Sequence, residues 1–294
     1  MSMLRLLYYP GCSVKNFAIR YERATIALLR HFGIELVELR RWNCCGAVYN
    51  LAADSQFYLI APVRNLIRAQ EMGRELGTNN LVTLCSMCFN VLRMANDRLR
   101  KDKDAYERVR SFMDDEEPYG LGVRVLHILE VIRDMVTLDR LGRATRRDMS
   151  NAKIAALYGC ILLRPAVSAI DDREDPQTIE NIMLSVGAEP IDYHGRTECC
   201  GSYVVIRDRE AVWRRGAEIV CAAKRAGANM FATTCPLCFF NLEESQKKMR
   251  DLVGQPLPVF YVPEILCYAL GIDEGIEPDV RRSLECLIGD GDGA

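Results

Sequence analysis

The feature that most constrains this chain is an internal duplication written in cysteine. The first half runs Tyr8-Tyr9-Pro10-Gly11-Cys12, then Asn43-Cys44-Cys45-Gly46, then Thr83-Leu84-Cys85-Ser86-Met87-Cys88. The second runs Leu157-Tyr158-Gly159-Cys160, then Glu198-Cys199-Cys200-Gly201, then Thr234-Cys235-Pro236-Leu237-Cys238. A repeat of this kind sets the folding unit, so every motif inside it is read twice. Each half also closes on a matched block, Val123 to Glu130 in one and Pro258 to Glu264 in the other, followed by an amphipathic helical pattern.

The repeat divides the chain into two pseudo-symmetric domains, residues 1–138 and 153–288. Residues 139–152 are rich in charge, lack a strong apolar face and are expected to be a linker. The Gly-Asp alternation of 289–294 reads as a flexible tail. Short β-type runs alternate with helical periodicity in both halves, which favours an α/β fold with a small, mostly parallel sheet in each. The expected strands are 5–9, 35–39, 81–84 and 123–126, then 153–157, 190–193, 230–233 and 258–261. Helices are expected from Arg20 to His31, Pro62 to Leu76 and Asn90 to Phe112. Gly33 and Gly227 fall where helices should end, and His31 complements a helix C-terminus.

A formal net charge of −2 gives no electrostatic reason to bind nucleic acid or an anionic membrane. No stretch is long and apolar enough to span a bilayer, and the N-terminal run closed by Pro10 reads as a strand rather than a secretory signal, so a cytoplasmic location is expected. Thirteen cysteines are then an excess. Thiols in that compartment stay reduced, so the cysteines are expected to bind metal or do redox chemistry rather than form a disulfide framework. The chain contains no G-x-G-x-x-G fingerprint for a flavin or NAD.

With the strands so placed, the cysteines lie at or just beyond their carboxyl ends, where open α/β sheets build their sites. A Cys-x-x-Cys pair entering a helix presents two sulfurs at the positive dipole end, which favours thiolate. Gly46 and Gly201 let the backbone approach a bulky inorganic core. Structural zinc needs four ligands, and so does a cubane [4Fe–4S] cluster, yet each half offers five cysteines. Iron–sulfur and zinc both remain open on spacing alone.

The duplicated blocks, with the Tyr-Pro-Gly-Cys-Ser and Trp-Asn-Cys-Cys-Gly openings, resemble the cysteine-rich CCG domains of the heterodisulfide reductase B-subunit family over nearly the whole chain. The resemblance implies two non-cubane [4Fe–4S] clusters, one on Cys12, Cys44, Cys45, Cys85 and Cys88, the other on Cys160, Cys199, Cys200, Cys235 and Cys238. It implies a disulfide oxidoreductase in which each cluster passes one electron to a substrate disulfide held between them, or the reverse. It also implies two partners in a multisubunit complex, one a ferredoxin-like iron–sulfur protein and the other flavin-bearing, with a small thiol or disulfide as substrate. The same signature occurs in other redox complexes, so a non-catalytic electron relay, with zinc in one half, is the alternative.

His127 and His194 are candidate proton donors, each with a structural reading beside it. Arg164 is a candidate for a substrate carboxylate or phosphate. Cys221 and Cys267 sit on apolar helix faces and read as small buried side chains, and Cys286 lies outside both repeats. The run from Arg98 to Lys103 reads as a solvated helix face.

Overall fold

A computed structural model describes residues 3–47 and 56–289. Of the expected tail, residues 290–294 lie outside the described residues. The first half is built from β1 (Leu4–Tyr9), α1 (Gly11–Phe17), α2 (Ile19–His31), β2 (Ile34–Glu38), α3 (Ile60–Leu76), β3 (Asn80–Thr83), α4 (Ser86–Lys101), α5 (Lys103–Phe112), β4 (Arg124–His127) and α6 (Ile128–Val131). A further helix, α7 (Leu138–Ala144), precedes the second half. That half holds β5 (Lys153–Leu157), α8 (Thr178–Ser185), β6 (Glu189–Pro190), α9 (Arg209–Arg225), β7 (Met230–Thr233), α10 (Pro236–Lys248), α11 (Arg250–Val253), β8 (Val259–Tyr261), α12 (Val262–Leu270) and α13 (Pro278–Ile288).

The two sheets have the same topology, β2-β1-β3-β4 and β6-β5-β7-β8, with every pairing parallel. Registers correspond as well: Thr83 lies opposite His127, and Thr233 opposite Tyr261. Strands covered by helices on both faces must be apolar throughout, and Leu6 to Tyr9 and Met230 to Thr233 are all buried. In each sheet the chain leaves the first strand toward one neighbour and later returns on its other side. This places a crevice at the carboxyl ends.

Three segments differ from the sequence expectation. The helix expected from Asn90 to Phe112 begins at Ser86 and is broken at Asp102, whose carboxylate accepts from the Ala105 N–H at 2.9 Å and caps α5. The strand expected at 190–193 shrinks to Glu189–Pro190, because proline cannot donate to a ladder and suits only an edge; Tyr193 instead donates its hydroxyl to the Ala156 carbonyl at 3.0 Å. Within 139–152, Leu141 and Met149 are buried, and Arg147 reaches the Tyr268 carbonyl and Asp273.

One apolar core runs through both halves, joining Leu6, Leu28 and Leu126 with Ile154, Phe260 and Leu266; a smaller one fills the far face of the second sheet. Polar contacts fix how the halves meet. Asn90, buried on α4, donates its side-chain amide to the carbonyls of Ile161 (2.8 Å) and Arg164 (2.9 Å) and to Ser168 Oγ (2.8 Å). Arg20 on α2 pairs with Glu264 at 3.0 Å and lies over the rings of Phe239 and Tyr261. Glu264 caps α12 by accepting from the Tyr261 N–H at 2.8 Å, as Glu130 caps α6 from the His127 N–H at 2.9 Å.

Two stability outcomes follow from these contacts. Asn90→Ala strands buried acceptors and is expected to cost about 1–3 kcal/mol, read from urea midpoints; an unchanged midpoint would remove Asn90 from the inter-half joint. His127 is fully buried, which pulls its pKa down to about 3. A depressed histidine contributes stability that is full above the unfolded value near 6.5 and is lost as pH falls toward the folded value. Between pH 6.5 and 4 the native protein should therefore lose up to about 1.4 kcal/mol per pH unit more than His127→Gln, and parallel pH curves would contradict this.

Candidate metal centres

Each Cys-x-x-Cys pair is set by the start of a helix. Cys85 caps the N-terminus of α4 and Cys235 that of α10, where Pro236 suits the first helical position because its missing N–H has no partner to lose. The carbonyls of Cys85 and Cys235 each accept from the phenylalanine four residues on, Phe89 and Phe239, at 2.9 Å. Thr83 donates its hydroxyl to the Cys85 carbonyl at 3.1 Å, and Thr233 Oγ1 accepts from the Cys235 N–H at 3.4 Å. Tyr21 from α2 donates to the Leu84 carbonyl at 3.0 Å and stacks on Tyr261 with centroids 4.2 Å apart.

The Cys-Cys-Gly turns are clamped through their backbones. Asn65, fully buried on α3, accepts from the Asn43 N–H and donates to the Asn43 carbonyl, both at 2.9 Å. Tyr9 donates to the same carbonyl at 2.8 Å, and Arg68 donates to Asn43 Oδ1 at 2.9 Å. In the second half Asn241 donates to the Cys200 carbonyl at 3.1 Å and lies 3.5 Å from its sulfur, while Arg215 pairs with Glu198. Gly46 and Gly201 take φ values of +79° and +78°, which β-carbon-bearing residues rarely adopt.

These turns bring the sulfurs together. Cys12 and Cys44 are 3.9 Å apart and Cys45 and Cys88 3.6 Å. Further thiol contacts join Cys44 to Cys45, Cys85 to Cys88, Cys235 to Cys238, Cys200 to Cys238 and Cys160 to Cys199. Cys85 and Cys235 interact across the two halves, each shifting the other's pKa. Eight thiols thus form an interacting run, Cys12, Cys44, Cys45, Cys88, Cys85, Cys235, Cys238 and Cys200, and Cys199 and Cys160 form a further pair. The Cys-x-x-Cys sulfurs are buried in the middle of this run; Cys44 is exposed toward one end, and Cys160 and Cys199 are half-buried. Among the described residues the thiols stand in such pairs, and no three His, Cys, Asp or Glu side chains converge on a ready pocket for one ion.

Space around the sulfurs depends on two glycines. A β-carbon on Gly11 would lie 2.8 Å from Cys88 Sγ, and one on Gly159 would lie 3.0 Å from Cys238 Sγ. The crowding also polarises the thiols. Contact with Cys44 and then Cys88 pulls Cys45 down to about 4, while the same contact pushes Cys44 up. Contacts with Cys235 and Cys88 hold Cys85 well below the usual thiol range, and contact with Cys160 brings Cys199 to about 6. Cys235 is lowered by Cys238 but carried up to about 12 by Cys85 and burial. Raised and lowered thiols therefore alternate from Cys44 through Cys45, Cys88 and Cys85 to Cys235, because adjacent sulfurs cannot all lose their protons without a cation to replace them.

The other candidates stand apart. His127 is buried behind the first Cys-x-x-Cys turn, edge-on to Phe89, with Nε2 3.5 Å from Ser86 Oγ and Nδ1 accepting from the Leu129 N–H at 3.4 Å. His194 is exposed on the turn after β6. Arg164 pairs with Glu174 at 2.9 Å. Cys267 is buried and donates to the Ala24 carbonyl, Cys221 is half-buried against Leu252, and Cys286 is exposed. Sequence reasoning missed Asn65, Tyr9, Gly11, Gly159 and Tyr203, whose hydroxyl is 2.8 Å from Cys160 Sγ. Gly11 and Gly159 had a signal, since each directly precedes a repeated cysteine.

Comparison with known proteins agrees with this duplicated arrangement. Residues 6–93 and 154–243 each match the family described as CCG, cysteine-rich domain. The chain is 28% identical to the 8-methylmenaquinol:fumarate reductase membrane anchor subunit of Wolinella succinogenes, over 90% of this chain and 92% of that one. It is 26% identical to the B subunit of the ferredoxin/F420H2-dependent CoB-CoM heterodisulfide reductase of Methanosarcina acetivorans, over 97% and 96%. Among solved structures, a hypothetical protein from Helicobacter pylori shares the fold with a TM-score of 0.70 at 11% identity, covering 97% of this chain and 53% of that one. With the cysteine-rich domain matched in both halves and nearly full-length similarity to a heterodisulfide reductase B subunit, the chain belongs to the CCG cysteine-rich domain family.

Proposed function

We propose that each half holds one [4Fe–4S] cluster of non-cubane type and that the chain makes or breaks a disulfide as the catalytic subunit of a heterodisulfide reductase-like complex. The observation that carries this reading is the set of ten thiols, five from each half, whose two sets interact through Cys85 and Cys235. Five soft sulfur donors per half exceed the four that zinc or a cubane cluster uses, and Gly11 and Gly159 let the Cys88 and Cys238 sulfurs pack against the backbone that carries Cys12 and Cys160.

Reducing a disulfide takes two electrons and two protons and yields two thiols. When bound, two clusters would supply those electrons one each. The protein's part is to hold the donors and manage protons. Asn65 and Asn241 fix the Cys-Cys-Gly turns, and the alternating thiols are the protons that loading would displace. Of the two candidate proton donors, His194 is open to solvent, whereas His127, depressed to about 3, is neutral at physiological pH and has both ring nitrogens engaged. Protons for the product thiols are therefore assigned to His194 or water.

Electrons would arrive from the two partner proteins of such a complex, a ferredoxin-like iron–sulfur protein next to this chain and a flavin-bearing one beyond it. Among the described residues no helix is long and apolar enough to cross a membrane. The similarity to a protein named as the membrane anchor of a fumarate reductase favours a second reading, an electron relay without substrate chemistry of its own.

EPR of the anaerobically oxidised protein separates the two readings. Titration with small thiols, or with their disulfide after partial reduction, is expected to change the cluster signal saturably. A signal indifferent to a broad set of thiols and disulfides would favour the relay.

A further inference from the structure

The two halves repeat each other closely, and at the C-terminal sulfur site a tyrosine hydroxyl stands directly against the ligand sulfurs. Tyr203 OH lies 2.8 Å from Cys160 Sγ and also contacts the Cys199 sulfur. A cysteine ligand has no proton, so once Cys160 is a thiolate only the phenol can donate. The Tyr203 ring is half-buried, which keeps the contact short of bulk water.

Other donors also reach the sulfurs: Asn241 Nδ2 donates to Cys200 Sγ at 3.5 Å, and the Ala47 amide stabilises the Cys45 sulfur. The Gly201 N–H donates to Cys199 Sγ at 3.3 Å, and the Gly46 amide stabilises the Cys44 sulfur in the same way. Arg215 adds a positive field at Cys199. In the first half the position matching Tyr203 is Val48, which has no hydroxyl and lies outside the described residues. Among the described residues, Tyr9 stands beside the first set of sulfurs and donates its hydroxyl to the Asn43 carbonyl. Hydrogen bonds to ligand sulfurs withdraw electron density and favour the reduced, more negative state of the group they hold.

We infer that Tyr203 is a tuning residue that donates to Cys160 and Cys199 and raises the potential of the C-terminal centre, so that this centre takes up its electron more readily than it would without the phenol. This inference rests on the cluster reading above. Tyr203 touches ligand sulfurs rather than the reacting bond, so its effect is on the potential of that centre.

The test is a potentiometric titration followed by EPR, on the native protein and Tyr203→Phe. The native protein should show two midpoints. In the variant one midpoint should fall by at least tenfold in the reduction equilibrium, about 59 mV for one electron, with the other unmoved. Two unmoved midpoints, or two that shift equally, would overturn the role of Tyr203 while leaving the clusters in place. A native protein that takes up no iron would overturn both.

Should the variant leave its C-terminal half unloaded, native protein exchanged into D2O gives the reading by pulsed ENDOR. A hydroxyl deuteron should couple to a centre in addition to its amide deuterons. Amide deuterons alone at both centres would overturn the inference.

Discussion

Thiols packed within about 4 Å of one another compete for charge. The first to lose its proton makes each neighbour harder to ionise, and burial raises the cost for all of them. Cys45 and Cys85 are held low here only while Cys44 and Cys88 are held high. A cation removes that conflict, because it takes the place of the retained protons and lets the whole set ionise. The architecture around the sulfurs is best understood as what keeps them close in spite of their repulsion.

Three devices do this. Cys85 and Cys235 stand at the N-cap positions of α4 and α10, so the positive dipole ends of these helices lie beside both Cys-x-x-Cys pairs. Buried asparagines hold the Cys-Cys-Gly turns by their backbones and leave the sulfurs free to point inward. Gly11 and Gly159 remove the β-carbon that would otherwise press on Cys88 and Cys238. Because the core is continuous across both halves, and Asn90 and Arg20 bridge them, the interaction between Cys85 and Cys235 is set by the bulk of the molecule rather than by a loose hinge.

Much of this was legible in the sequence. Seven of the eight strands lie within a residue of where the apolar runs and the repeat put them, since buried parallel strands must be apolar on both faces, and the cysteine blocks fall at their carboxyl ends. The break at Asp102 was not legible, because the periodicity on either side is helical and only the capping geometry reveals the interruption. Pro190 could have signalled how short its strand would be. Asn65 and Tyr203 carried no signal at all: a lone polar residue on a helix, or a tyrosine after Cys-Cys-Gly, gains its meaning only from what folding sets beside it. The departures from the repeat, Tyr203 against Val48 and Tyr261 against His127, are where the two halves acquire different chemistry.

Whether the two matched sulfur sites each hold a multi-iron cluster is tested most directly by anaerobic iron, acid-labile sulfide and zinc analysis of the same preparation. About eight iron and eight sulfide per chain, with no stoichiometric zinc, is the expected result. About four iron with one zinc, or zinc alone, would contradict it.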